Sequence, residues 1–409
     1  FASDRSGWWN LERIRSGERA VLYEIEAEFG YPAWIFGGRS YGFLGDGRIV
    51  CAYDRDGRTS IALLDPERGS LKPIDLPHDA WGGFLAAEGT TAVFVAGSAT
   101  LPNQVVRIDL STGERDVLRS SAQVPVDTAY FSVPRAIEFP TDGGLTAHAF
   151  FYPPTNPAYA APEDERPPLV VWSHGGPTDN ATPLFSLRTQ FWTSRGFGIV
   201  DVNYGGSTGY GRAYRERLNG QWGVVDLHDC VNAAHYLVEQ GEADGDRLLI
   251  RGGSAGGYTT ICALTFTDEF AAGASYFGIA DLEPTPEGHT HKFELRYEHT
   301  LIGPYPEAAE LFRARSPIHF TDRITTPMLV LQGTDDEIVP QVQAELIVAA
   351  LRERGIPHAY LLFEGEGHGF RKAENIIRSL EAELSFYLQI LGLEPADPLP
   401  KLEIEHLPA

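Results

Sequence analysis

Leu248-Leu249-Ile250-Arg251-Gly252-Gly253-Ser254-Ala255-Gly256-Gly257-Tyr258 is the stretch on which the fold turns. A short apolar run, of strand length, leads into a G-x-S-x-G sequence, and a helical stretch from Tyr258 to Phe266 follows. Strand, tight turn and helix in that order are what a nucleophile elbow requires. The glycines permit the turn, the small neighbours leave the serine oxygen exposed, and the helix N-terminus favours negative charge developing nearby. Ser254 is therefore the candidate nucleophile. The bland alternative, a glycine turn carrying a passenger serine, fits the flanking strand and helix less well.

A serine hydroxyl is a poor nucleophile without a base. In α/β hydrolases the serine is followed along the chain by an acid and then a histidine. Met328-Leu329-Val330-Leu331 reads as a strand, and Gln332-Gly333-Thr334-Asp335-Asp336-Glu337 places acids on the loop at its C-terminal end. Such strand ends carry the functional groups of open α/β sheets. The residues alone leave Asp335, Asp336 and Glu337 all open as the acid. After the next strand, Ala359 to Phe363, comes Glu364-Gly365-Glu366-Gly367-His368-Gly369-Phe370. Of the 12 histidines, His368 is the one placed on a glycine loop at the following strand end. An oxyanion hole needs backbone N–H donors, one from the residue after the nucleophile, Ala255, and one from a loop after an early strand. Ser173-His174-Gly175-Gly176-Pro177 is such a loop, and His174 reads there as scaffold rather than as a second base.

Outward from this centre, Leu169-Val170-Val171-Trp172, Gly198-Ile199-Val200-Asp201-Val202 and the two runs above are continuous and apolar, as strands covered on both faces are. Helical stretches at 225–240, 341–354 and 374–391 lie between or after them, so the predicted architecture is an α/β-hydrolase domain. It has a mostly parallel sheet with helices on both faces and spans 126–395. A hairpin around Asp142-Gly143-Gly144 opens it, and a Pro-rich tail, 396–409, follows it.

Residues 1–125 read as all-β. The segments Asn10 to Gly17, Ala62 to Gly69 and Val106 to Gly113 each run a strand into a polar turn ending in glycine. Recurrence at about 45–50 residues is the period of propeller blades. The expectation is part of a β-propeller, about three blades, with a sandwich as the alternative. Three blades do not close a ring, which takes about 4–8. Together with the opening residue Phe1, this suggests a natural chain that is longer at its N-terminus, and a segment prone to aggregate when made alone.

Lys+Arg number 33 and Asp+Glu 56, a net charge of −23. So negative a field repels nucleic acid and anionic lipid and leaves a homo-oligomer open. Three cysteines without a C-x-x-C pair fit a reducing, cytoplasmic setting. No apolar run approaches a membrane span. No nearby pair of carboxylates or cysteines completes a metal site with His289, His291 and His299, so no metal is expected. Asp226, His228, Asp229 and His235 read as the polar face of one helix. Asn203 to Gly211 is glycine-rich but has no P-loop lysine, so no nucleotide cofactor is implied.

Taken together, the motifs resemble the prolyl oligopeptidase family of serine peptidases from about Phe131 to Ile390. The matching stretches are His174-Gly175-Gly176-Pro177, Asn203 to Gly211, Gly252 to Tyr258, Gly333-Thr334-Asp335-Asp336 and Gly367-His368-Gly369-Phe370. The resemblance implies Ser254 as nucleophile, Asp336 as acid and His368 as base, with no cofactor. A histidine at position 174 is similar to the acylaminoacyl-peptidase-like branch, with its bacterial aminopeptidases of the puromycin-hydrolysing kind. There the second oxyanion N–H belongs to the residue matching Gly176. The implied partner is a short peptide or aminoacyl substrate, cleaved through an acyl-enzyme to release N-terminal residues, acylated or free. A carboxylesterase on the same fold and a catalytically inactive propeller-based binding protein are the rival readings. In this fold the strand after the elbow helix ends beside the nucleophile, which nominates Phe277 and Ile279 as an apolar substrate-binding rim.

Overall fold

The computed structural model describes residues 1–32, 34–284 and 296–408. The N-terminal part is built of antiparallel meanders. Strands β1 (Ala2–Ser3), β2 (Asn10–Arg15) and β3 (Glu18–Val21) form one sheet. Next come β4 (Tyr41–Phe43), β5 (Ile49–Arg55), β6 (Arg58–Asp65) and β7 (Ser70–Pro73), then β8 (Ala80–Glu88), β9 (Thr91–Gly97), β10 (Gln104–Asp109) and β11 (Arg115–Ser120). The three segments seen to repeat in the sequence are the β2–β3, β6–β7 and β10–β11 hairpins, the last hairpin of each sheet. Glycines with positive φ (Gly17, Gly69 and Gly113) make their turns. Val50, Ala52 and Ile61 of the middle sheet meet Leu85, Phe94 and Val106 of the third in one core. Among the described residues these sheets close no ring.

The remainder is one eight-stranded mixed sheet. Its strands are β12 (Arg135–Thr141), β13 (Leu145–Tyr152), β14 (Leu169–Ser173), β15 (Gly198–Asn203), β16 (Leu248–Gly253), β17 (Ala272–Tyr276), β18 (Met328–Gly333) and β19 (His358–Phe363). Their order in space is β12-β13-β15-β14-β16-β17-β18-β19. The β12–β13 hairpin turns through Asp142–Gly144 as expected and joins β15 antiparallel, and every later pairing is parallel. The helices are α1 (Leu187–Thr193), α2 (Arg212–Arg215), α3 (Val225–Glu239), α4 (Ala255–Phe266), α5 (Tyr297–Leu301), α6 (Ala309–Arg315), α7 (Gln341–Arg354) and α8 (Ala373–Leu391). Leu237 of α3, Ile261 of α4 and Ile347 of α7 pack on one face with Val171, Val200 and Ile250. Trp192 of α1 and Phe386 and Tyr387 of α8 pack on the other with Val170, Ile199 and Leu249. Alternate residues of each strand thus feed opposite cores, which is why these strands read as unbroken apolar runs.

The polar face expected of α3 is half wrong. His228 and His235 do face outward, beside Asp142 and Glu269. Asp226 and Asp229 are buried. Asp226 accepts from the Thr259 hydroxyl at 2.6 Å and from the Gly223 N–H at 2.6 Å. Asp229 accepts from the Thr141 hydroxyl and from the Gly205 N–H. These acids tie α3 to α4, β12 and the loop after β15, so a solvated-face reading based on charge alone misses them. The three cysteines are free and buried. Among the described residues no helix is long and apolar enough to cross a membrane.

Candidate active site

Ser254 sits between β16 and α4 with φ 57° and ψ −122°, a conformation non-glycine residues avoid at a cost of about 1–3 kcal/mol. Two backbone bonds hold it there: its N–H donates to the Tyr276 carbonyl at 3.0 Å, and its carbonyl accepts from the Tyr258 N–H at 3.0 Å. The glycines around it are required by close approach. A Cβ on Gly256 would lie 2.0 Å from the Ser173 carbonyl oxygen, and one on Gly252 would lie 2.2 Å from the Gly256 oxygen. The elbow is thereby pressed against the end of β14. Ala255 opens α4, so its N–H is among the first-turn donors that have no intrahelical acceptor.

The turn after β18 aims Asp336 inward. Its Oδ1 accepts the N–H groups of Ile338 and Val339, each at 2.9 Å, and the side chain is buried. The His368 Nδ1–H donates to the same carboxylate, 2.9 Å from Oδ2 and 3.1 Å from Oδ1. Asp335 and Glu337 point to solvent, and Asp335 accepts from the Thr334 hydroxyl instead.

The histidine loop has an anchor that the sequence reading passed over. Glu366, buried, accepts from the N–H groups of Arg371 and Lys372, each at 2.9 Å, and from Asn375 Nδ2 at 2.8 Å. Gly333 lets the acid loop close onto it, since a Cβ there would lie 2.3 Å from the Glu366 carbonyl. The Glu-Gly-Glu-Gly-His alternation was the available signal, but nothing in it says which glutamate turns inward.

His174 is locked in place. Its Nδ1 lies 2.8 Å from the Gly175 carbonyl, its Nε2 lies 2.7 Å from the Ser207 hydroxyl, and Tyr204 stacks on it at 4.2 Å. Enclosure pushes its pKa down to about 4, so the ring is neutral at pH 7. Tyr204 also donates to the carbonyls of His174 and Pro177, which fixes the loop holding Gly176. Gly176 has φ 116° and leaves no room for a Cβ beside Asp179. A Cβ on the adjacent Gly175 would lie 3.5 Å from the Ser254 Cβ, so this loop borders the serine.

Phe277, half-buried, follows β17. Its ring lies 4.7 Å from that of His368 and 5.8 Å from that of Phe370. Ile279 is partly exposed and packs against the core cluster that includes Ile261. Asp281, Glu283 and His319 each bring one ligand-type atom within 4.8 Å of the others. His319 Nε2 lies 2.8 Å from Glu283, and Arg313 lies 3.7 Å from the same carboxylate. His289 and His291 lie outside the described residues, and His299 is exposed on α5.

A mostly parallel sheet, a serine on the strained turn after β16 and a paired Asp336–His368 on the loops after β18 and β19 define an α/β hydrolase. Residues 183–394 match the pattern of the prolyl oligopeptidase family, and the chain belongs to that family. It is 47% identical to a Mycobacterium tuberculosis puromycin-hydrolyzing peptidase, with a TM-score of 0.95 over 99% of this chain and 61% of that one. It is 44% identical to a puromycin hydrolase, again with a TM-score of 0.95, over 98% of this chain and 61% of that one. A mutant of puromycin hydrolase has been solved complexed with PGG. The dipeptidyl aminopeptidase BIII of Pseudoxanthomonas mexicana is 32% identical over 84% of this chain and 51% of its own length. The chain thus spans about half to three fifths of the length of these three relatives.

Proposed function

We propose that this chain carries the catalytic domain of a serine peptidase that cleaves short peptides or releases their N-terminal residues, free or acylated. His368, with Nδ1–H committed to Asp336, keeps the Nε2 lone pair to take the Ser254 proton. The serine oxygen attacks the scissile carbonyl, and the oxyanion that forms is held by the N–H groups of Ala255 and Gly176. His368 returns the proton to the leaving amine, and water, deprotonated by the same ring, releases the acyl group. Asp336 keeps the imidazole in the required tautomer and stabilises its charged form. Phe277, beside His368, and Ile279 form the apolar side of the substrate site. The three N-terminal sheets are blades of a propeller of which 1–125 is a part, 126–395 is the hydrolase domain, and 396–409 is a tail. Free buried cysteines support a reducing, cytoplasmic location.

The Asp336–His368 pair, together with a serine held on a strained elbow, supports this reading. The test is an aminoacyl or peptidyl p-nitroanilide panel run beside a fluorophosphonate label. Wild-type protein should turn over the anilides and label at Ser254. Ser254→Ala should lose the label and about 10⁴-fold or more in kcat without a change in melting temperature. Turnover of p-nitrophenyl butyrate with no anilide hydrolysis would replace the peptidase with an esterase.

A further inference from the structure

Between the second and third N-terminal sheets and the loops after β14 and β15 lies a cavity of about 370 Å³. Ser254, Asp336 and His368 do not line it. Its wall includes Tyr31, Trp81, Phe84 and Tyr210, and the one charged residue among those lining it is Asp54.

Asp54 is an acid without a cation. Its Oδ1 accepts from the Thr59 hydroxyl at 2.5 Å, and among the described residues no Lys, Arg or His pairs with it. Enclosure by the surrounding walls raises its pKa, because the charged form is desolvated and uncompensated. The surface it keeps opens into the cavity. Among the described residues, two more polar groups on the cavity's lining residues lack partners: the buried Trp81 indole N–H and Asn103 Oδ1. The Trp81 and Tyr31 rings lie parallel, 6.5 Å apart at 6°, and the indole N–H and the phenol have no well-directed hydrogen bond to each other. At the rim Phe36 is 83% exposed and Phe84 56% exposed, an apolar lip left uncovered among the described residues.

An enclosed carboxylate excludes anions and is stabilised by an arriving cation. Aromatic faces add attraction for the same charge, most strongly when it is desolvated. The exposed phenylalanines favour a ligand with an apolar body. We propose that this cavity binds the ammonium group of a ligand with an apolar or aromatic body, with Asp54 as counter-ion and Trp81 and Tyr31 as its aromatic wall.

Two sources share that chemistry: the free N-terminus of a peptide held at Ser254, and a separate small amine. The cavity lies close to the Gly176 loop, because Trp34 of the Tyr31–Phe36 segment donates to Thr178 at 3.2 Å. Only the first source rests on the peptidase reading.

The binding arm uses Ser254→Ala protein and calorimetry with phenethylamine and its N-acetyl derivative. Phenethylamine should bind, the acetylated form should not, and adding Asp54→Asn should weaken phenethylamine binding about tenfold or more, as loss of one charged partner implies. Trp81→Leu should weaken it as well, and it serves in place of Asp54→Asn if that variant fails to fold. The kinetic arm compares kcat/KM for a peptide anilide with a free and with an acetylated N-terminus. A tenfold fall in the free-to-acetylated ratio in Asp54→Asn identifies the substrate N-terminus as the ligand. An unchanged ratio with lost phenethylamine binding identifies a separate amine. If phenethylamine binding and the ratio are both unaffected by Asp54→Asn and Trp81→Leu, the cavity is not an ammonium site. If wild-type protein cleaves neither peptide, the peptidase reading fails while the calorimetry still decides the cavity.

Discussion

Asp335 and Asp336 are chemically identical neighbours, and the turn after β18 alone separates them. Asp336 spends its Oδ1 on two backbone N–H groups and still faces His368, whereas Asp335 is exposed. Asp336→Asn should therefore cost on the order of 10⁴ in kcat on a peptide anilide, since the amide no longer holds the right imidazole tautomer. Asp335→Asn should stay within a few-fold of wild type. Reversed effects would mean that the acid is misassigned. The sequence could not make this choice from its own residues, because three consecutive acids follow the same strand and their orientation depends on which N–H groups the turn offers. The positions of Ser254 and His368 were legible for the opposite reason: each stands in a glycine-rich turn between a short apolar strand and a helix. Glu366 was illegible because its role is to bind backbone from Arg371 to Asn375, contacts that leave no mark on residue type.

Elements were read well where their cores are two-sided, as the central strands show, and badly where polar side chains turn inward. Helix α3 is the clearest case. Asp226, 0% exposed, is pushed up to about 6 by burial, against the opposing effect of its bonds to Thr259 and Gly223. Its folded pKa is therefore above the unfolded value of about 3.9. Between about pH 4 and 6 the folded protein keeps a proton that the unfolded chain releases, so this group makes folding less favourable as pH rises through that window. Asp226→Asn removes the titration. Whatever the variant loses in hydrogen bonding, its stability relative to wild type should improve by up to about 2–3 kcal/mol from pH 4 to pH 7. Denaturant unfolding at the two pH values measures it, and a pH-independent difference would contradict the raised pKa. On the other face of the sheet, Arg251 of β16 meets Glu383 of α8 at 3.2 Å, and Tyr276 donates to the same carboxylate at 2.6 Å. Both charges are buried, so Glu383→Ala takes from Arg251, in the elbow strand, its ion-pair partner and should cost about 3–5 kcal/mol. A loss below about 1 kcal/mol would show that water reaches Arg251.

Across the whole molecule, the N-terminal sheets are fastened to the hydrolase part by charges that the sequence separates by some two hundred positions. Asp4 accepts from Arg212 Nη2 at 2.9 Å and from Arg215 Nη2 at 2.6 Å, and Arg215 lies over the Trp9 ring at 4.2 Å. Glu28, 2% exposed, accepts from the Trp9 N–H at 2.8 Å with one oxygen and from the Gly211 N–H at 3.0 Å with the other. One carboxylate thus ties a strand approach in the first sheet to the glycine-rich loop after β15. That loop reads in the sequence as glycine-rich without a stated task, and part of its task is to offer this N–H. Glu28→Gln keeps the size but presents an NH₂ to one of two buried N–H donors, and an unsatisfied buried donor costs about 1–3 kcal/mol. The loss falls on the junction, so it should appear as local loosening. Hydrogen exchange in residues 1–30 and at 204–215 should accelerate about tenfold or more, while the β16–β19 strands keep wild-type protection and Ser254 still reacts with a fluorophosphonate. Uniform acceleration across both parts would mean that they unfold as a single unit. Unchanged exchange at 1–30 would mean that Asp4 and the arginines hold the junction without Glu28.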